Sequence, residues 1–236
     1  MLGRLLDWFG DHPFAVLAAS FLCVGGTWCF IEIADEVFKG KTQSFDDRMI
    51  LAMRHADEPA IPIGPKWLEE VGRDLTALGG VVVLAIVTFA VAGFMALSGK
   101  YREMCLLLAA TFGGVVIATI FKYSFDRPRP DLVSQLSYVV TSSFPSGHSM
   151  MSAVVYLTLG TVVAEMAIRK RLKFYCLAVA MTIVLLVGVS RVYVGVHYPT
   201  DVLAGWSAGL VWAMICWLMA RLLRRKGGVD PQPSGN

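Results

Sequence analysis

Six long apolar runs, each about the length needed to cross a bilayer, constrain this chain more than any other feature. Phe14–Ile31 carries no charged residue. Five comparable runs follow at Leu75–Gly99, Met104–Phe121, Ser149–Ala164, Phe174–Ser190 and Val202–Ala220. A soluble domain has no use for so many. With 56% of residues apolar, the pattern predicts an all-α polytopic membrane bundle of six transmembrane helices. Arg4 precedes the first run, but the run is longer than a signal-peptide core and lacks a small-residue cleavage site. It is read as a retained span. Residues 1–226 are expected to form a single membrane domain, and the polar, proline-containing stretch 227–236 a disordered tail.

Charge placement gives an orientation. Lys100 and Arg102 lie between runs two and three, Arg169, Lys170, Arg171 and Lys173 between four and five, and Arg221, Arg224, Arg225 and Lys226 after six. With Arg4, all fall on one side of a six-span bundle, which the positive-inside rule makes cytoplasmic. Both termini then lie in the cytoplasm. The expected location is a cytoplasmic (inner) membrane, with the opposite face periplasmic or extracellular. A net charge of +3 spread over short loops points to the bilayer, with no nucleic-acid partner.

Residues 32–74 hold ten acidic and six basic residues and are expected to form an extracytoplasmic segment with one or two short interfacial helices. Ser44-Phe-Asp-Asp47 reads as a helix start with a capping box. Phe45, Met49 and Met53 then form its apolar stripe. The five cysteines fall inside the apolar runs without metal-binding spacing and read as small buried hydrophobes.

Three polar stretches share the extracytoplasmic boundary. Lys122-Tyr-Ser-Phe-Asp-Arg-Pro-Arg-Pro130 follows run three. Its arginines, Arg127 and Arg129, present planar forks suited to phosphate oxygens, and its prolines stiffen the backbone. Lys122 alone reads equally well as a snorkelling anchor. Phe144-Pro-Ser-Gly-His148 opens run four. Free backbone N–H groups and the helix dipole suit an anion there, although a simple capped helix start has the same look. Ser190-Arg-Val-Tyr-Val-Gly-Val-His-Tyr-Pro-Thr-Asp201 places Arg191, His197 and Asp201 around a helix end. An aspartate bonded to one imidazole nitrogen makes the other a better nucleophile or base.

Two of the four histidines, His148 and His197, thus share one face with Lys122 and the arginines. Together with Asp201 they offer three zinc-type ligands, but the neighbouring cations favour an anion over a dication. The expected chemistry is metal-independent and cofactor-free. One histidine attacks phosphorus and the other protonates the leaving oxygen, with the aspartate pairing favouring His197 as nucleophile.

At these residues the chain resembles the type 2 phosphatidic acid phosphatase family, whose pattern is Lys-x6-Arg-Pro, Pro-Ser-Gly-His and Ser-Arg-x5-His-x3-Asp. Every position is present, between Lys122 and Asp201. The resemblance implies a helical core with its active site at the extracytoplasmic end. It implies that Lys122, Arg129 and Arg191, the Ser146 side chain and the Gly147 backbone hold phosphate. It makes His148 the acid and His197 the nucleophile oriented by Asp201. Arg127 lies outside the strict pattern as a further phosphate contact. The expected function is an integral membrane lipid phosphatase acting on a polyprenyl diphosphate, phosphatidic acid, phosphatidylglycerol phosphate or a lipid A phosphate, with analogy leaning to the first. The alternatives are a lipid phosphotransferase using the same phosphohistidine and a non-catalytic anion or lipid transporter. The sequence assigns no oligomeric state.

Overall fold

A computed structural model describes residues 13–131 and 142–226, with side chains from 14 to 131 and from 142 to 223. These residues form eight helices: α1 Pro13–Phe38, α2 Gln43–Leu51, α3 Lys66–Ala77, α4 Val81–Leu97, α5 Tyr101–Ser124, α6 Gly147–Met166, α7 Lys170–Tyr193 and α8 Pro199–Lys226. No strand occurs among the described residues. The expected surface segment before Pro13 and the polar tail 227–236 lie outside them.

Helices α1, α5, α6, α7 and α8 are each long and apolar enough to cross a membrane, and α3 with α4 make a sixth candidate if the pair counts as one bent span. Their outward faces are apolar, as at Phe21, Trp28, Phe89, Val116 and Phe174, all more than half exposed. Exposure on this scale suits lipid and would be a liability in water.

Helix α6 sits at the centre, packed against α4, α5, α7 and α8, with Met150, Val154 and Val155 fully buried. Helix α8 reaches it through two glycines one turn apart. A Cβ on Gly205 would stand 2.6 Å from the Ser146 carbonyl oxygen, and one on Gly209 2.5 Å from that of Met150. Without a hydrophobic drive between helices in lipid, small residues that let backbones touch do the joining.

Three expectations about the first hundred residues are corrected. Helix α1 runs on to Phe38, taking in the first acidic residues of the 32–74 segment. Ala34 and Val37 pack on Phe144 and Ala204, and exposed pairs such as Lys41–Glu36 (2.6 Å) hold its end. The run Leu75–Gly99 is not one straight span. It breaks at Leu78–Gly80, where α3 and α4 meet at a 50° bend. There the chain squeezes against the start of α6: a Cβ on Gly79 would lie 2.5 Å from Val187 Cγ1 and 3.2 Å from the His148 backbone oxygen. The Tyr156 hydroxyl donates to the Leu78 carbonyl left over by the break (2.8 Å), and Thr76 and Ser190 pair their hydroxyls at 2.7 Å.

The capping box at Ser44 does not form. Helix α2 starts at Gln43, with Thr42 at the N-cap position and no side-chain cap bond. Asp47 accepts instead from Gln43 Nε2 (2.8 Å), and Asp46 turns inward. The stripe Phe45 and Met49 faces outward, while Asp46 and Ile50 are fully buried.

Candidate active site

The end of α5, the start of α6, the end of α7 and the start of α8 converge. Helix α7 ends at Tyr193. Gly195 then takes a positive φ of 80°, a turn that a residue without Cβ makes freely. The turn carries His197 into the interior, 2% exposed. Pro199 opens α8, whose first turn holds Asp201.

His197 faces two ways. Its Nε2 lies 3.3 Å from an Arg129 terminal nitrogen. A guanidinium can only donate, so Nε2 carries the lone pair and the ring proton sits on Nδ1. That nitrogen faces Asp201 Oδ2 at 3.5 Å, an ion-pair distance longer than a normal hydrogen bond, and has no nearer partner. Burial pushes the His197 pKa down to about 3; Asp201 opposes this and the cations Arg191 and Arg129 reinforce it. The imidazole is therefore neutral at physiological pH, with its lone pair turned to the cationic side.

Those cations have distinct settings. Lys122, in the last turn of α5, donates to the Ser142 carbonyl (2.5 Å). Arg129 donates to the Val196 carbonyl (2.6 Å) and more weakly to Ser142 (3.3 Å). Burial lowers its pKa, against the pull of Asp201. Arg191 is 2% exposed, its Nε has no partner, and among the described residues no carboxylate lies in salt-bridge range of it. His148 has Arg191, His197, Arg129 and Lys122 as its titratable neighbours. Gly147 stands open beside Lys122: a Cβ there would meet only Lys122 Cε, at 3.8 Å. A partly buried cluster of cations around a helix N-terminus and a neutral imidazole suits a phosphoryl group. Among the described residues no group of three His, Cys, Asp or Glu is arranged to hold a metal ion.

Two residues read as phosphate contacts also bond to protein groups. The Ser146 hydroxyl is fully buried and caps α6, its oxygen accepting from the Ser149 hydroxyl (2.9 Å) and backbone N–H (3.4 Å). Arg127 turns from the cationic cluster. It forks onto Asp201 (2.6 Å) and Asp46 (2.7 Å), and its guanidinium lies 4.2 Å above the Tyr198 ring. Burial works against its charge, but the two carboxylates outweigh that and raise its pKa.

Sequence reasoning missed Asp46, Ser143 and Thr200. The Ser143 hydroxyl donates to Asp201 Oδ2, which also accepts from the Tyr198 N–H (2.9 Å). Thr200 donates to Asp46 through its hydroxyl (2.6 Å) and its N–H (3.1 Å). The one available signal was an acidic residue four before Ile50 on a short amphipathic helix.

The model of the PAP2 superfamily matches residues 103–225, from the first turn of α5 to near the end of α8. The chain belongs to the PAP2 superfamily. Phosphatidylglycerophosphatase B of Bacillus subtilis is 32% identical over 183 residues, covering 77% of this chain and 86% of that one. Lipid A 1-phosphatase of Rhizobium etli is 28% identical over 63% of this chain and 71% of its own length. Undecaprenyl-diphosphatase of Sulfolobus acidocaldarius is 30% identical over 47% and 52%. Among solved structures, a transmembrane PAP2-type phosphatidylglycerolphosphate phosphatase from Bacillus subtilis superimposes with a TM-score of 0.77 at 28% identity, covering 89% of this chain and all of the other. Like these PAP2 relatives, the chain is a phosphoric ester hydrolase of the lipid phosphatase kind.

Proposed function

We propose that this PAP2 member removes a terminal phosphate from a membrane lipid in two steps through a phosphohistidine at His197. The observation that carries the reading is the imidazole itself: Nε2 unprotonated beside Arg129, Nδ1 turned to Asp201. In the first step the Nε2 lone pair attacks phosphorus, and the ester or anhydride oxygen leaves with a proton from His148. In the second, His148 takes a proton from water, the water oxygen attacks phosphorus, the N–P bond breaks and inorganic phosphate departs. Lys122, Arg129, Arg191 and the Gly147 N–H offset charge on the equatorial oxygens. Asp201 stabilises the imidazolium character of the intermediate.

The basic loops at the opposite helix ends support a site on the extracytoplasmic face of a six-span bundle in an inner membrane. There a lipid keeps its tail in the bilayer while its head group meets the cations. A relative matched over 86% of its length is named a phosphatidylglycerophosphatase. Phosphatidylglycerol phosphate therefore moves ahead of polyprenyl diphosphate, towards which analogy leans, as first substrate.

The test is turnover by purified protein across the four lipid classes, together with an alkaline quench after mixing with 32P-labelled substrate. An acid-labile phosphoenzyme that is absent from His197→Ala is expected. Full turnover by His197→Ala would refute the nucleophile assignment. Label appearing on an added alcohol instead of in free phosphate would make the protein a phosphotransferase.

A further inference from the structure

Resting on the phosphohistidine reading, we propose that Asp46, outside the family-matched region, is a positioning residue that keeps Asp201 effective behind His197. Asp46 is fully buried, yet it belongs to α2, a nine-residue helix ending just before the chain turns back towards α3. Its two oxygens reach both flanks of Asp201. Oδ2 accepts from Arg127 (2.7 Å) and from the Thr200 hydroxyl (2.6 Å); Oδ1 accepts from the Thr200 N–H (3.1 Å). Arg127 spans the two carboxylates, bonding Asp201 Oδ1 at 2.6 Å, and Thr200 is the residue before Asp201.

The charges explain why a second carboxylate is needed. Asp201 paired with Arg127 alone is a neutral unit, and a neutral unit supports an imidazolium poorly. With Asp46 the trio carries one net negative charge, in a buried setting where charge is weakly screened. Asp46 thus draws part of the Arg127 charge to itself and leaves Asp201 anionic towards His197 Nδ1. It also fixes the first turn of α8, so that the carboxylate meets the imidazole in one geometry. A group acting this way influences formation of the N–P bond and leaves the phosphate contacts untouched. Asp46 accepts from Arg127 and Thr200, and Arg127 binds the two carboxylates instead of joining the cationic cluster.

The experiment uses the full chain in detergent with phosphatidylglycerol phosphate, reading kcat, KM, inhibition by inorganic phosphate and the rate of phosphoenzyme formation. Asp46→Asn keeps an acceptor for Thr200 and loses the charge. Its kcat and phosphoenzyme rate are expected to fall roughly ten- to a hundredfold, with KM and phosphate inhibition unchanged. Arg127→Lys, which keeps the charge and loses the fork, should show the same kcat-only defect, and Asp46→Glu should recover part of the rate. In an Asp201→Asn background the Asp46→Asn loss should nearly vanish. Wild-type kcat in Asp46→Asn, an additive loss in that background, or loss of phosphate inhibition or folded protein along with rate would each overturn the proposal. The underlying reading fails separately. If wild-type protein forms no phosphoenzyme and His197→Ala turns over normally, the phosphohistidine is wrong, whatever Asp46→Asn does to kcat.

Discussion

Replacing Gly205 by alanine tests whether the contact between α8 and α6 sets the position of the catalytic groups. The added Cβ would stand 2.6 Å from the Ser146 carbonyl oxygen, 3.1 Å from Ser149 Cβ and 3.2 Å from Met150 N. All three atoms belong to the first turn and a half of α6, the turn that carries Gly147 and His148. Backbone cannot rotate away as a long side chain can, so the helices must part by about 0.4–0.8 Å to restore ordinary contact. The Ser146 N–H also donates to the Asp201 carbonyl (2.9 Å), so the displacement strains the link between the His148 and His197 sides of the site. Overpacking of this kind costs about 1–3 kcal/mol of stability. A shift approaching 1 Å in a positioned group costs up to roughly a hundredfold in rate. We therefore expect Gly205→Ala to lower kcat by about ten- to a hundredfold while lowering the melting temperature only modestly. Gly93→Ala, whose Cβ would meet nothing within 4 Å, is the control. Equal turnover by Gly205→Ala and Gly93→Ala would refute the argument that this helix contact governs the site.

Acid lability should report the neutral burial of His197. Its folded pKa, near 3 because of burial, lies below the ordinary value of about 6.5. The unfolded chain therefore binds an extra proton between those values, and stability present above about pH 6.5 falls as pH drops towards 3. Thermal melts should show His197→Gln flattening that fall, and an unchanged slope would assign it to other groups. Arg191→Lys keeps the charge but loses the planar fork, so inhibition by inorganic phosphate should weaken by about tenfold or more. An unaltered inhibition constant would remove Arg191 from the phosphate site. Turnover in excess chelator should match turnover without it, because Lys122, Arg129 and Arg191 supply the positive charge; activity restored only by an added divalent cation would contradict this.

The bundle was legible because lipid-facing helices must be apolar all along their length, and uncharged runs such as Phe174–Ser190 announce themselves locally. The break at Leu78–Gly80 was not. The residues that explain it, Val187, His148 and Tyr156, are far along the chain, and the two glycines alone fit an unbroken span as well. The site divides in the same way. His148, Arg191, His197 and Asp201 stand in short patterns whose chemistry is readable from spacing. Asp46 is one of ten acidic residues in its segment, and its partners lie 81 and 154 positions away. Its one local signal, Ile50 four residues on, is too weak to separate a carboxylate that will be buried from nine others. Arg127 misled for the opposite reason, since an arginine two residues from a phosphate-pattern arginine looks like a second fork until its carboxylate partners are seen.

The guanidinium of Arg191, buried with no carboxylate opposite it among the described residues, shapes the enzyme between turnovers. Such a charge is stabilised chiefly by an anion from solution, and the product of the proposed reaction is one. Any ligand that prefers the folded form adds RT ln(1 + [L]/Kd) to its stability. On the proposed placement of the site, inorganic phosphate outside the membrane would set both how firmly the bundle holds together and how often an arriving lipid finds the cations already occupied. The supply of phosphate in the surroundings becomes a brake on dephosphorylation, acting by simple competition and without a second regulatory site.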